Sequence, residues 1–475
     1  MSFRNISRLF NTKSLTTQTL RSYSSSRGEI GPLNTDFLAK TPETKVTTLP
    51  NGIRVATEQS FGETASIGVW VDSGSVYEND QNNGVAHFLE HMIFKGTEKR
   101  TSPTHIETEI ENMGGSLNAF TSREHSAYYM KVLKENIPNA VDILSDILQN
   151  SKFDQKLIDT ERHVILSEMQ YVQSKQDEVI FDQLHAAAFQ GSALGRTILG
   201  PVENINKISR DDIKNFMAQN YTGQRLVIAA AGAVNHDKLV AAVKEKFGSI
   251  QAGQPSPRPQ ITNDFVGSEI RVRDDSLPNI HFSVAVRGLS WDDPDYYTLE
   301  LIQTMIGNWN NTISGGKNLI SNLAEVVATE GLAESYSTFL TCYQDTGLFG
   351  NYGISTPDKV DDLVAEMLKE WQRIANSATE TEVERNKQKL LASTLMQYDG
   401  TSKICERIGL QMLTLGRRLT PQEICLRIQE ISAKDVRRVA AQLLTDVSPA
   451  ITCVGPTDNF PEYNFVRGWT YWNRL

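Results

Sequence analysis

Apolar and polar positions along this chain fall into blocks whose period changes, and the changes mark its elements. A period of two, or a short apolar run, predicts strands over residues 45–57, 65–73, 116–132 and 225–233. Apolar residues three and four apart predict helices over 137–150, 157–189 and 236–247, with a further helix around residue 87. In the 157–189 run the periodic face is carried by Leu157, Ile158, Val164, Ile165, Met169 and Val172. Residues 251–263 (QAGQPSPRPQITN) then hold Pro255, Pro257 and Pro259 and lose all apolar periodicity, which predicts an extended linker. Beyond it the order repeats, with strands over 269–274 and 281–287, a helix over 296–306 and a strand ending at Gly350-Asn351-Tyr352. Helices over 358–374 and 381–397 and a late strand over 450–455 complete it. Strands alternating with long helical runs argue for an α+β class rather than a doubly wound nucleotide fold. The expectation is two related domains, residues 40–250 and 265–475, joined by a linker over 251–264.

Composition changes this picture little: 39% of residues are hydrophobic and 22% charged, as in an ordinary globular chain. The longest apolar run, residues 226–234 (LVIAAAGAV), has the length of a buried strand, so any membrane association is expected to run through a partner. The N-terminus is different. Arg4, Arg8, Lys13, Arg21 and Arg27 precede the first acidic residue, Glu29, among dense Ser and Thr, with Phe3, Ile6, Leu9 and Phe10 on one helical face. That is the composition of a mitochondrial transit peptide, assigned to residues 1–23, and implies the matrix as destination; a disordered basic arm is the alternative. Removing its four cations from a net charge of −10 leaves −14, an acidic body suited to cationic substrates. Cys342, Cys405, Cys425 and Cys453 form no CxxC pair and read as buried free thiols.

The chemistry concentrates in His87-Phe88-Leu89-Glu90-His91. On a helix the two imidazoles sit one turn apart and can share one zinc ion, while the adjacent Glu90 can take a proton from water. This H-x-x-E-H order is the inverzincin pattern. Two histidines on a solvated helix face are the alternative, which a third ligand would overrule. Glu168, separated from His91 by 76 residues, is the candidate, and Glu161, seven residues earlier on the same predicted helix, points the same way. Of such a pair, one carboxylate could bind the metal while the other orients a histidine. No histidine follows His281, and Leu299-Glu300-Leu301-Ile302-Gln303 stands where the repeat would place the motif. A His-based metal site therefore belongs to the first half alone. No Walker A sequence is present, which removes the main argument for nucleotide binding.

These residues resemble the pitrilysin/insulinase metallopeptidases. The supporting segments are 84–96 (GVAHFLEHMIFKG), 114–129 (GGSLNAFTSREHSAYY), 161–170 and 185–201 (HAAAFQGSALGRTILGP), with 345–350 (DTGLFG) and 471–474 (YWNR) later. The resemblance covers nearly everything after about residue 40 and implies two homologous α/β-sandwich-type domains facing each other across a cleft. It also implies one Zn2+ per chain held by His87, His91 and Glu168, with Glu90 as general base and Glu161 as the supporting carboxylate. Asn118 and Ala119 would lie on an edge strand that pairs with substrate backbone, and Phe94 would line the pocket for a bulky residue after the cut. Glu178 and Asp182, four apart on one helical face, would hold the guanidinium of an Arg-containing transit peptide; without the resemblance they are a solvated acidic face. Within the family the processing-peptidase branch is nearest, and it implies a heterodimer with an alpha subunit and no nucleic-acid partner. The short Ser314-Gly315-Gly316-Lys317 is too meagre to be that alpha subunit's glycine-rich loop. Two other roles share the fold: a core subunit of the inner-membrane cytochrome-c reductase, and a general oligopeptidase.

Overall fold

The computed structural model describes residues 41–253, 265–312 and 321–471. The transit peptide, most of the linker and Ser314–Lys317 lie outside them. The first half forms a six-stranded sheet from β1 (Thr44–Thr48), β2 (Arg54–Gln59), β3 (Thr64–Val71), β4 (Ser116–Thr121), β5 (Ser126–Leu133) and β6 (Leu226–Gly232). The second half forms another from β7 (Glu269–Arg273), β8 (Ile280–Arg287), β9 (Asn308–Asn310), β10 (Ser335–Cys342), β11 (Gly347–Ser355) and β12 (Ala450–Gly455). Two runs expected as single strands are hairpins. Residues 45–57 contain the turn between β1 and β2, and 116–132 contain Ser122–His125 between β4 and β5. The first of these turns carries Asn51-Gly52, with Gly52 at a φ of 90°, a hairpin signal that lies inside the run; the second, Ser122–His125, carries no such pair.

Strand order runs β1-β2-β6-β3-β5-β4 in the first sheet and β7-β12-β8-β11-β10-β9 in the second. Without β1 and β9, the two orders superimpose: β2, β6, β3, β5 and β4 correspond to β7, β12, β8, β11 and β10. The parallel pair has its counterpart too, β2 with β6 and β7 with β12. The extra strands sit at opposite ends. β9 covers the edge of β10, whereas its counterpart β4 ends the first sheet. Among the described residues, that difference leaves an edge without a strand partner beside the histidine motif.

Five helices of the first half bear on the site: α1 (Val85–Met92), α2 (Pro103–Asn112), α3 (Ile137–Gln149), α4 (Gln155–Gln173) and α5 (Gln176–Ala188). The apolar run expected over 157–189 thus breaks between α4 and α5 around Ser174-Lys175. The break has a packing reason, because α4 stays with the first half while α5 crosses to the second. Ile180 of α5 packs with Tyr352 and Val454, and Leu184 and Ala188 pack with Ala285, Leu348 and Ala450. His185 is fixed there by its Nε2, 2.6 Å from the Tyr343 hydroxyl.

The second half returns a helix. Thr401–Thr414 lies on the first sheet, where Cys405, Ile408 and Met412 pack against Ala56, Trp70, Ala127, Val227 and Ala229. Each fully buried large side chain of this kind stabilises by about 1.5–3 kcal/mol. Both sheets are thereby buried on two faces, and the described residues from Pro42 onward form one compact unit. All four cysteines are free and buried, as expected. Among the described residues no helix is long and apolar enough to cross a membrane.

Gly409 permits the exchange, since a Cβ there would lie 2.1 Å from Cδ2 of Trp70, which is itself 1% exposed. Gly409→Ala should therefore destabilise the fold by about 1–3 kcal/mol through overpacking. Urea denaturation of the two proteins checks this, and an unchanged midpoint would contradict the packing described.

Candidate metal centre

Helix α1 turns its apolar residues Val85, Ala86, Phe88, Leu89 and Met92 into the core of the first half. Its start needs Gly84, whose φ is 102° and where a Cβ would lie 2.8 Å from both Ile205 Cδ1 and Leu199 O. The i, i+4 spacing brings the His87 and His91 rings to 4.7 Å between centroids. Helix α4 supplies the carboxylates. Glu168 Oε2 lies 3.1 Å from His91 Nε2, and Glu168 Oε1 lies 3.8 Å from His87 Nε2. On the far side of the His91 ring, Glu161 Oε2 is 3.2 Å from Nδ1. Glu161 and Glu168 thus divide the labour that their seven-residue spacing permits.

Ligand atoms of His87, His91 and Glu168 all lie within 4.8 Å of one another. A tetrahedral zinc with bonds of about 2.0–2.1 Å separates its ligands by roughly 3.4 Å, so small adjustments close the set. With Nδ1 donating to Glu161, the Nε2 lone pair of His91 is directed at the centre. Two imidazoles and one carboxylate leave a coordination position open, the pattern of a catalytic site. The residues fit the metal that the motif implies.

The charges are shared along a chain. Lys95 Nζ lies 2.6 Å from Glu161 Oε1, so the order is Lys95, Glu161, His91, Glu168. Burial disfavours the imidazolium of His91, but its bonds to Glu161 and Glu168 outweigh this and raise its pKa to about 9. For His87, burial and the neighbouring His91 both push the pKa down, keeping the ring neutral. The hydrogen bond from His91 holds Glu168 below the usual carboxylate range. Burial pushes Glu90 up, opposed by hydrogen bonds from Thr121, which favours a carboxylate able to take up a proton.

A cavity of about 620 Å³ opens beside these groups, lined by Glu90, His91, Phe94, Leu117, Asn118 and Ala119 among others. It brings the predicted base, pocket residue and edge-strand residues into one place. Asn118 is exposed on β4, and the half-buried Phe94 sets its ring edge-on to Tyr128 at 6.4 Å. Glu178 and Asp182 lie apart from this cavity, on α5. Glu178 is exposed in the first turn, while Asp182 Oδ1 already accepts a 2.7 Å bond from Arg123 Nη2. The acidic face is therefore partly engaged by a guanidinium of the same chain.

Three partners escaped the sequence reading. Lys95 is four residues past His91 and the spacing was available, but helix α1 stops at Met92. Thr121 and Arg123 reach their carboxylates through the β4–β5 hairpin, which carries no local signal of it.

Family profiles match both halves: the insulinase family (peptidase family M16) over residues 54–202, and the M16 inactive domain over residues 207–390. The chain belongs to peptidase family M16. It is 72% identical over 457 residues to the mitochondrial-processing peptidase subunit beta of Dictyostelium discoideum, covering 96% of this chain and 97% of the relative. Identity to the Homo sapiens subunit of the same name is 46% over 441 residues, covering 93% and 90%. Among solved structures, a chain of complex III2 from Candida albicans, Inz-5 bound, superimposes with a TM-score of 0.82 at 26% identity, over 90% of this chain and 99% of that one. A protease from Helicobacter pylori gives 0.79 at 18% identity, over 88% and 100%, and bears on the fold alone. The protein is a mitochondrial M16 metallopeptidase. The inactive-domain match begins inside the first half, at residue 207, and contains none of the motif's residues.

The charge chain predicts how this M16 site takes up metal. With its pKa near 9, metal-free His91 carries a proton at pH 7 that the metal must displace. Zinc uptake should then release about one proton, and affinity should rise by about one log unit per pH unit until pH passes roughly 9. Calorimetry at pH 7 in buffers of different ionisation heat measures the proton; no buffer dependence would contradict the assignment.

Proposed function

We propose that the chain is the catalytic subunit of a two-chain zinc endopeptidase that removes basic N-terminal transit peptides from proteins imported into the mitochondrial matrix. The observation carrying this reading is the His87, His91 and Glu168 cluster with Glu90 beside the open edge of β4. The relatives named as beta subunits of a processing peptidase support the two-chain form and the substrate class. Residues 40–250 would be the catalytic domain and 265–475 its non-catalytic homologue, the exchanged helices apart.

The zinc would supply a Lewis acid for the scissile carbonyl and lower the pKa of water. Everything else falls to this chain. Glu90 takes the proton of the attacking water and returns it to the leaving amine. The β4 edge around Asn118 and Ala119 aligns an extended peptide by main-chain hydrogen bonds, which require little of its sequence. Phe94 offers an apolar wall for the residue after the cut. Glu161 holds His91, and Lys95 holds Glu161. Glu178 and the free oxygen of Asp182 receive the substrate's Arg, a forked donor that one carboxylate does not satisfy.

Full-length chain and an alpha-type partner, assayed separately and together on an Arg-bearing transit peptide with and without chelator, test this reading. Cleavage by the pair that chelator abolishes is the expected result. Broad cleavage of unrelated peptides by the chain alone would instead indicate a degradative oligopeptidase. Glu90→Gln should keep its zinc and lose at least about 100-fold in kcat, the usual size of a general-base contribution. Glu178→Gln should raise KM for Arg-bearing peptides and leave their Ala analogues unaffected, as steady-state kinetics on the two peptides would show.

The likeness to a complex III2 chain favours a second role as a core subunit of cytochrome-c reductase. Co-purification of this chain with that complex from mitochondrial membranes is the check.

A further inference from the structure

Helix α1 carries two proposed zinc ligands and the proposed base, yet its own N-cap residue is Gly84, which has no side chain to satisfy the first N–H groups. The missing acceptor comes from six residues upstream. Glu78 Oε2 accepts from Gly84 N at 2.9 Å and from Asn83 Nδ2 at 2.7 Å, and Glu78 Oε1 accepts from Ala86 N at 2.7 Å. All three bonds are donated to the carboxylate, and none of the three donors could serve a protonated oxygen as acceptor. Glu78 is only 4% exposed.

The loop between Glu78 and α1 is clamped from outside as well. Asn83 Nδ2 also donates to Thr197 O at 2.8 Å, and Arg196 Nη1 donates to Glu78 O at 2.9 Å. Asn204 Nδ2 donates to Asp80 O and Asn83 O. Gly200 presses on the same loop so closely that a Cβ there would sit 2.4 Å from Asn83 O. Such a clamp fixes where the helix begins, and on an eight-residue helix the start sets the position of every side chain.

We propose that Glu78 is a positioning residue of the metal centre: by capping α1 from a buried site it holds His87 and His91 at the reach of Glu168. This rests on the zinc-peptidase reading above. Burial pushes the Glu78 carboxyl up to about 7, with the bonds from Ala86, Asn83 and Gly84 limiting the rise, so the fold keeps a costly group at this place. A carboxamide cannot replace it, because its NH2 must face at least one of the three donors.

The test compares the full chain with Glu78→Gln, and with Asp80→Asn as a control in the same loop that loses a surface charge but keeps an oxygen able to accept from Arg196 Nε. Zinc affinity is read by chelator competition without substrate, and kcat and KM are read with the partner chain on an Arg-bearing peptide. Glu78→Gln should lose about tenfold or more in both zinc affinity and kcat, the size usual for groups that orient metal ligands, with KM within about twofold. Asp80→Asn should match the parent. Parental zinc affinity and kcat in folded Glu78→Gln, whatever its melting temperature, would overturn the proposal. If Glu78→Gln does not fold, Glu78→Asp takes its place, keeping the charge but falling one methylene short; the same losses are expected, and failure of both to fold would mark Glu78 as purely structural. A parent chain that binds zinc but cuts no transit peptide would sink the substrate reading and leave this one standing.

Discussion

Each sheet in this protein needs a second face covered, and each half covers the other's. Helix α5 leaves the first half to lie on β8 and β12, and Thr401–Thr414 returns to lie on β3 and β6. A sheet with one bare apolar face would not be stable in water, so neither half as numbered is a complete folding unit. The site depends on this exchange. Glu161 and Glu168 ride on α4, which is joined through Ser174-Lys175 to a helix anchored in the opposite half. The proposed third ligand, Glu168, is thus held from both sides of the molecule, although all three residues of the cluster come from the first half.

The candidate cluster was legible because its signals are local. Two histidines at i and i+4 and two carboxylates at i and i+7 reveal their shared faces by helical period alone, and the structure joins those faces at α1 and α4. The repeat was legible for a similar reason, since apolar blocks recur in the same order. What stayed hidden was carried by tertiary contact. The 157–189 run reads as one periodic stretch, and only the pull of the second sheet on Ile180, Leu184 and Ala188 explains why it breaks. Thr121, Arg123 and Glu78 act across a hairpin or a clamped loop, where no spacing rule reports on the partner. The exchanged helix 401–414 was not foreseen at all, because nothing in its sequence says which sheet it will cover.

Electrostatically the centre is a row of alternating charges: cationic Lys95, anionic Glu161, the imidazole of His91, anionic Glu168. In such a row each member stabilises the charge of its neighbours, and the side chains lose little freedom because α1 and α4 hold them. His87 sits outside the row, neutral and buried. The two histidines are therefore unequal before any metal arrives. One is already neutral, whereas the other must first give up a proton that two carboxylates defend.

The sheets also differ at one edge: β9 covers β10, while β4 has no such neighbour among the described residues. Unpaired strand edges are the places where proteins stick to one another, and natural folds commonly hide or blunt them. Here the edge is short, six residues, with Ser116 and Asn118 exposed along it. Those polar positions and brevity make it a poor template for another copy of itself, while an extended peptide with its own free backbone groups could still pair. On the function proposed above, the same edge that is a self-association hazard would become selective for conformation: it would admit extended chain and refuse anything already folded.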